Sequence, residues 1–95
     1  MTDREQAIEA TKQRLDELDD RIAELEARAE QASVEARAEY RERVDALKSQ
    51  SAEARDRLQQ LRDASDAAWQ DIKAGVDAAT ARLGEALSSA RARFS

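Results

Sequence analysis

Residues 8–36, IEATKQRLDELDDRIAELEARAEQASVEA, decide how this chain folds. Ile8, Thr11, Leu15, Leu18, Ile22, Leu25, Ala29, Ala32 and Ala36 follow one another at alternating spacings of three and four. That alternation is a heptad, with positions a at 8, 15, 22, 29 and 36 and d at 11, 18, 25 and 32. It draws a narrow apolar stripe along a helix whose flanks are charged. A helix cannot satisfy such a stripe by itself, so the stripe must meet another helix or a lipid surface.

The flanking charges suggest an orientation. Position g carries Arg14, Arg21 and Arg28, and position e carries Lys12, Asp19 and Glu26. A parallel in-register pair of chains sets Arg14 against Asp19 and Arg21 against Glu26. An antiparallel self-pairing of this segment sets Arg against Arg. Isoleucine at a and leucine at d point the same way, to two parallel strands.

Downstream the stripe thins and slips. Ala27, Ala29, Ala32, Ala36 and Ala38 bury little area. Val44 comes eight residues after Ala36, where a heptad requires seven. Tyr40 bridges this phase slip near 37–44, and Val44, Leu47, Leu58 and Leu61 carry the seam on. In the second half the period becomes 11: Leu61, Ile72, Leu83 and Phe94, then Val76 and Leu87, then Ala68, Ala79 and Ala90. An 11-residue repeat keeps a stripe nearly straight along an α-helix. With Trp69 it forms one apolar arc.

These patterns predict an all-α protein: a long amphipathic helix forming a coiled coil, heptad over 1–60 and hendecad over 61–95, as a single structural unit. Thr2 and Glu5 have the spacing of a capping box. A continuous or gently bent helix, on the order of 140 Å long, is the favoured reading. One alternative is a helical hairpin turning at Lys48-Ser49-Gln50-Ser51-Ala52, with Asp19 and Glu26 facing Arg55 and Arg62. Another is a break at Asp63-Ala64-Ser65-Asp66. The residues expected at an interface between chains are Ile8, Leu15, Leu18, Ile22, Leu25, Tyr40, Val44, Leu47, Leu58, Leu61, Trp69, Ile72, Val76, Leu83, Leu87 and Phe94.

Composition supports this. Of 95 residues, Ala contributes 21, Arg 13, Glu 11, Leu 8 and Lys 3, the composition of long helices. There is no Pro, Cys or His, and Gly occurs only at 75 and 84. Without Cys there is no disulfide or thiol nucleophile, and without Cys or His no zinc or copper site of the usual kind. No cofactor or metal is expected. Carboxylate pairs such as Asp16/Asp20 and Glu35/Glu39 share a helix face, but they read as solvated charges rather than acid–base pairs. Nothing resembles a catalytic constellation, so no enzyme activity is expected. All of the net charge of −5 lies in residues 1–60. Glutamates interleave Arg37, Arg41 and Arg43, which argues against nucleic acid. The polar Met1-Thr2-Asp3-Arg4-Glu5 opening is unlike a signal peptide, so a cytoplasmic location is expected.

The elements Leu15-Asp16-Glu17-Leu18, Ala38-Glu39-Tyr40 and Trp69-Gln70-Asp71-Ile72-Lys73-Ala74-Gly75-Val76, followed by Ala86 to Phe94, resemble the small bacterial coiled-coil proteins described as stress-response related or uncharacterised. The resemblance implies a helical, oligomeric protein without catalytic residues. In period alone, the hendecad also resembles exchangeable apolipoproteins. The expected function is therefore a self-associating coiled-coil scaffold whose partner is a second copy of itself. The alternatives are weak binding of a lipid surface through the C-terminal helix, or an adaptor whose partner supplies a missing helix.

Overall fold

The computed structural model describes residues 2–94. Three α-helices account for nearly all of them: α1 (Asp3–Glu30), α2 (Val34–Arg62) and α3 (Trp69–Arg93), with no strand among the described residues. The protein is all-α, but it is not one rod. It measures 51 × 20 × 17 Å, where a single helix of this length would run on the order of 140 Å.

Cross-helix contacts fix the directions. Asp19 meets Arg55 and Glu26 meets Lys48, so α1 and α2 run antiparallel. Arg93 meets Glu39 while Gly75 lies under Arg57, so α3 runs antiparallel to α2. Arg4 lies on Trp69 and Arg14 on Gly84, so α1 and α3 run parallel.

The connections explain why a periodic stripe does not make one helix. Residues 31–33 link α1 to α2 without glycine, proline or any positive backbone φ. Ser33 caps α2, its hydroxyl accepting from the Ala36 N–H at 3.3 Å. Arg37 reaches back and donates to the carbonyls of Ala32 and Glu30, both at 3.3 Å. The last carbonyl of α1, that of Glu30, which has no partner inside its own helix, thus gains one from the next, as does the carbonyl of Ala32 in the connection. At 63–68 a break is present, over the Asp63-Ala64-Ser65-Asp66 stretch that stood as an alternative to a continuous helix. Ser65 accepts from the Ala68 N–H through its hydroxyl, and its carbonyl takes the Trp69 N–H at 3.0 Å, opening α3. At the start of α1, Thr2 accepts from the Glu5 N–H at 3.1 Å, as the capping-box spacing predicts.

The hairpin turn considered as an alternative at 48–52 is absent, because Lys48–Ala52 lies inside α2. Its polar residues serve contacts to α1 instead. The phase slip also has a simple origin. The α1 seam ends at Ala29, and the α2 seam, Tyr40, Val44, Leu47, Ser51, Ala54, Leu58 and Leu61, is an unbroken heptad of its own. Two antiparallel helices need not share a phase. Likewise the 11-residue step from Leu61 to Ile72 spans the second connection, so only the repeat from Ile72 onward belongs to one helix.

Candidate functional site

The residues expected between chains lie between helices of one chain. Leu15, Leu18, Ile22, Leu25, Tyr40, Val44, Leu47, Leu58, Leu61, Trp69, Val76, Leu83 and Leu87 are buried, and Ile8, Ile72 and Phe94 pack half-buried against them. This corrects their assignment to an oligomer interface: the stripe found its partner helices within the same chain. It also takes up the apolar face of α3 that lipid binding requires. No described helix is long and apolar enough to cross a membrane. Ser51 and Ala54 are core positions the sequence reading passed over. They sit on the heptad register of α2, but their small or polar side chains hid them, whereas Ala90 is buried where the 11-residue repeat puts it.

A charge network ties α1 to α2. The Ser51 hydroxyl donates to Asp19 Oδ1 at 2.6 Å, and Arg55 donates to Asp19 at 3.1 Å and to Asp16 at 2.8 Å. Lys12 donates to Asp16 at 3.0 Å, and Lys48 pairs with Glu26. Two expectations are corrected here. Asp19 and Glu26 do not wait for Arg14 and Arg21 of another chain, and Glu26 meets Lys48 rather than Arg62. The anticipated Asp19–Arg55 pair does form.

These pairs set a pH dependence. The guanidinium of Arg55, then the ammonium of Lys12, holds the Asp16 carboxyl below the usual carboxylate range. A depressed carboxyl stabilises the fold above its unfolded pKa of about 3.9, and that contribution is lost as pH falls through the lower folded value. The Glu26 carboxylate raises Lys48, so its contribution holds below about 10.4 and is lost as pH rises through the higher folded value. The chain contains no histidine, the side chain whose ordinary pKa lies closest to neutrality. Thermal midpoints are therefore expected to form a plateau from about pH 5 to 9, falling away on both sides. A step near pH 6.5 would contradict this.

Aromatic contacts close the two ends. Tyr40 stacks on Phe94 with ring centroids 3.8 Å apart. At the other end Arg4 lies 4.5 Å over the Trp69 ring and pairs with Asp66 at 2.6 Å. Between α2 and α3, Arg93 donates to Glu39 at 3.0 Å. The two glycines make room for arginines. A Cβ on Gly75 would stand 3.2 Å from Arg57 Nη1, and one on Gly84 3.6 Å from Arg14 Nη2. At Gly84 that is ordinary contact, so Gly84→Ala is expected to gain helix propensity, close to 1 kcal/mol, and to raise the melting temperature by several degrees. Gly75→Ala should gain less, since Arg57 must shift.

The pairing of α1 with α3 is different. Among the described residues no ion pair joins the two helices themselves. Between them lies an open groove of about 710 Å³, lined by Ala10, Arg14, Asp77, Ala81, Glu85 and Ser88 among others. It continues past Ser88 into a notch of about 380 Å³ formed with Arg28, Arg91 and Ala92. Small side chains make its floor and charges stand at its rims. No group of metal-ligating side chains comes together among the described residues. Comparison with protein-family profiles, curated proteins and solved structures finds no match to this chain.

Proposed function

We propose that this chain is a non-enzymatic docking module. Its three helices pack coiled-coil fashion into a self-supporting bundle, and the α1–α3 face receives a protein partner. The open groove between these two helices carries this reading. The other two helix pairs are bridged by side-chain hydrogen bonds and ion pairs, whereas α1 and α3 leave between them an open channel of about 710 Å³. The carboxylates of Asp16 and Asp19 are paired with Arg55 and Lys12. Asp16 is held ionised, the reverse of what a proton donor needs. This supports a structural role for the charges. The scaffolding role expected from the sequence persists in this reading, with its contact surface moved from the apolar seam to the groove.

The test is a photo-crosslinking residue placed at Ser88 in the groove, or at the exposed Ser49 on α2 as a control. Adducts in cells are expected from position 88 and not from 49. Equal adducts at both, or none at 88, would contradict the reading.

A further inference from the structure

We propose that this chain also exists as a swapped dimer, in which α1 and α2 run on as one helix and each copy's α1 packs on the partner's α2 and α3. Exchange of an identical element is a low-cost route to a dimer, because it reuses the contacts of the monomer. The exchange is independent of whether the α1–α3 groove receives another protein.

The first connection is built from residues that a helix accepts. Gln31, Ala32 and Ser33 include no glycine or proline, and none has a positive φ. Gln31 is already in the right-handed helical region, at φ −96° and ψ −3°, while Ser33 is extended, at φ −60° and ψ 161°. The turn is held by the Ser33 hydroxyl on the Ala36 N–H and by Arg37 on the carbonyls of Ala32 and Glu30. All three bonds are 3.3 Å long. Straightening exchanges them for backbone hydrogen bonds of a continuous helix.

The two seams also agree across the turn. The slip in heptad count is not a slip in azimuth, since Ala29 and Tyr40 stand 11 residues apart, three turns and about 20° on a straight helix. Ala32 and Ala36 fill the interval. At 100° per residue, every buried residue of α1 and α2 falls within one arc of roughly 100°. Two helices joined by a turn have no need of this agreement. A single helix over residues 3–62, about 90 Å long, needs it to present one stripe.

The polar contacts carry over as well. Asp19 with Ser51, Asp16 with Arg55, Asp19 with Arg55 and Glu26 with Lys48 have midpoints at residues 35–37. A two-fold axis at that level of two antiparallel straight helices sets Asp19 against the partner's Ser51 and Arg55, and Glu26 against the partner's Lys48. The residues that cross at the axis, Ala32 and Ala36, are small enough for close approach. Each α3 stays on its own α2 and covers the partner's α1. Every α1–α3 groove is then completed by two chains, and the dimer holds two of them.

Refolding the full chain from urea at about 10 µM and at about 1 mM, followed by light scattering and small-angle X-ray scattering, tests this. Monomer is expected at the lower concentration. At the higher a discrete dimer about 90 Å long is expected, against 51 Å for the monomer. Val34 opens α2 and is 77% exposed, so Val34→Pro suits the monomer, where Ser33 already has the extended backbone that precedes a proline. Inside a straight helix the same proline clashes with the Glu30 carbonyl in both copies. It should weaken dimerisation at least ~100-fold, while urea unfolding at the lower concentration shows the monomer intact. Ser33→Ala with Arg37→Ala strips the turn of its bonds and should strengthen dimerisation at least ~10-fold. A native chain monomeric at both concentrations, a dimer that survives Val34→Pro, a dimer no longer than the monomer, or one that the Ser33 and Arg37 changes fail to favour would overturn the proposal.

Discussion

Leu18→Glu is expected to abolish the cooperative unfolding transition and most of the helical circular dichroism signal. Leu18 is 1% exposed, midway along α1 in the shared core. A glutamate there buries a carboxylate with no partner, or forces α1 off the other helices. Either cost is several kcal/mol, against a total stability of roughly 5–15 kcal/mol for a domain. Leu18→Ala should leave a folded chain that has lost about 3 kcal/mol. Urea titrations followed at 222 nm measure both. The same titrations separate a core within the chain from a seam between chains. Unfolding midpoints of the native and Leu18→Ala chains should hold nearly constant over about a hundredfold range of protein concentration, whereas obligate assembly would make them climb with concentration.

The second large effect is expected at Asp19. Asp19→Ala strips the acceptor from the Ser51 hydroxyl, which is buried, and one carboxylate from Arg55. An orphaned buried donor costs more than its hydrogen bond contributed. Ser51 can recover part by turning to a carbonyl of its own helix, and Arg55 keeps Asp16. The expected loss is about 1–2 kcal/mol. Ser51→Ala removes the donor instead, leaves the Asp19–Arg55 pair intact and adds a better helix former. Its stability should stay within about 0.5 kcal/mol of the native chain. Equal losses in the two variants would show that the serine, not the acid, organises this contact.

These residues also show how far the sequence could be read. The α1 heptad from Leu15 to Ala29 is core as its spacing predicts, and every large apolar residue expected in the seam packs in the core or, for Ile8, Ile72 and Phe94, half-buried against it. What the spacing could not reveal was whose helix the seam would meet. Periodicity specifies a face, and the connections specify the partner. The first connection carries no glycine or proline. Its work is done by Ser33, an ordinary N-cap residue, and by Arg37, a good helix former, while the alanines around them continue the stripe and mask the cap. The eight-residue step from Ala36 to Val44 did mark a change of helix, displaced a few residues past the turn itself. Around Ser51 the error ran the other way. Polar residues that suggested a turn are there to meet Asp19 and Glu26 of a neighbouring helix. The groove between α1 and α3 was not legible, since it depends on which two of three faces close most tightly.

The chain's three aromatic residues divide between the two ends, and this makes the molecule its own probe. Trp69 sits with Arg4 where α3 begins, so its fluorescence reports on that end. Tyr40 rests against Phe94 at the opposite end, and its near-ultraviolet signal reports there. Melting followed separately through tryptophan and tyrosine would therefore show whether the ends let go together or one frays first. Only coincident transitions would justify treating the molecule as a single cooperative unit.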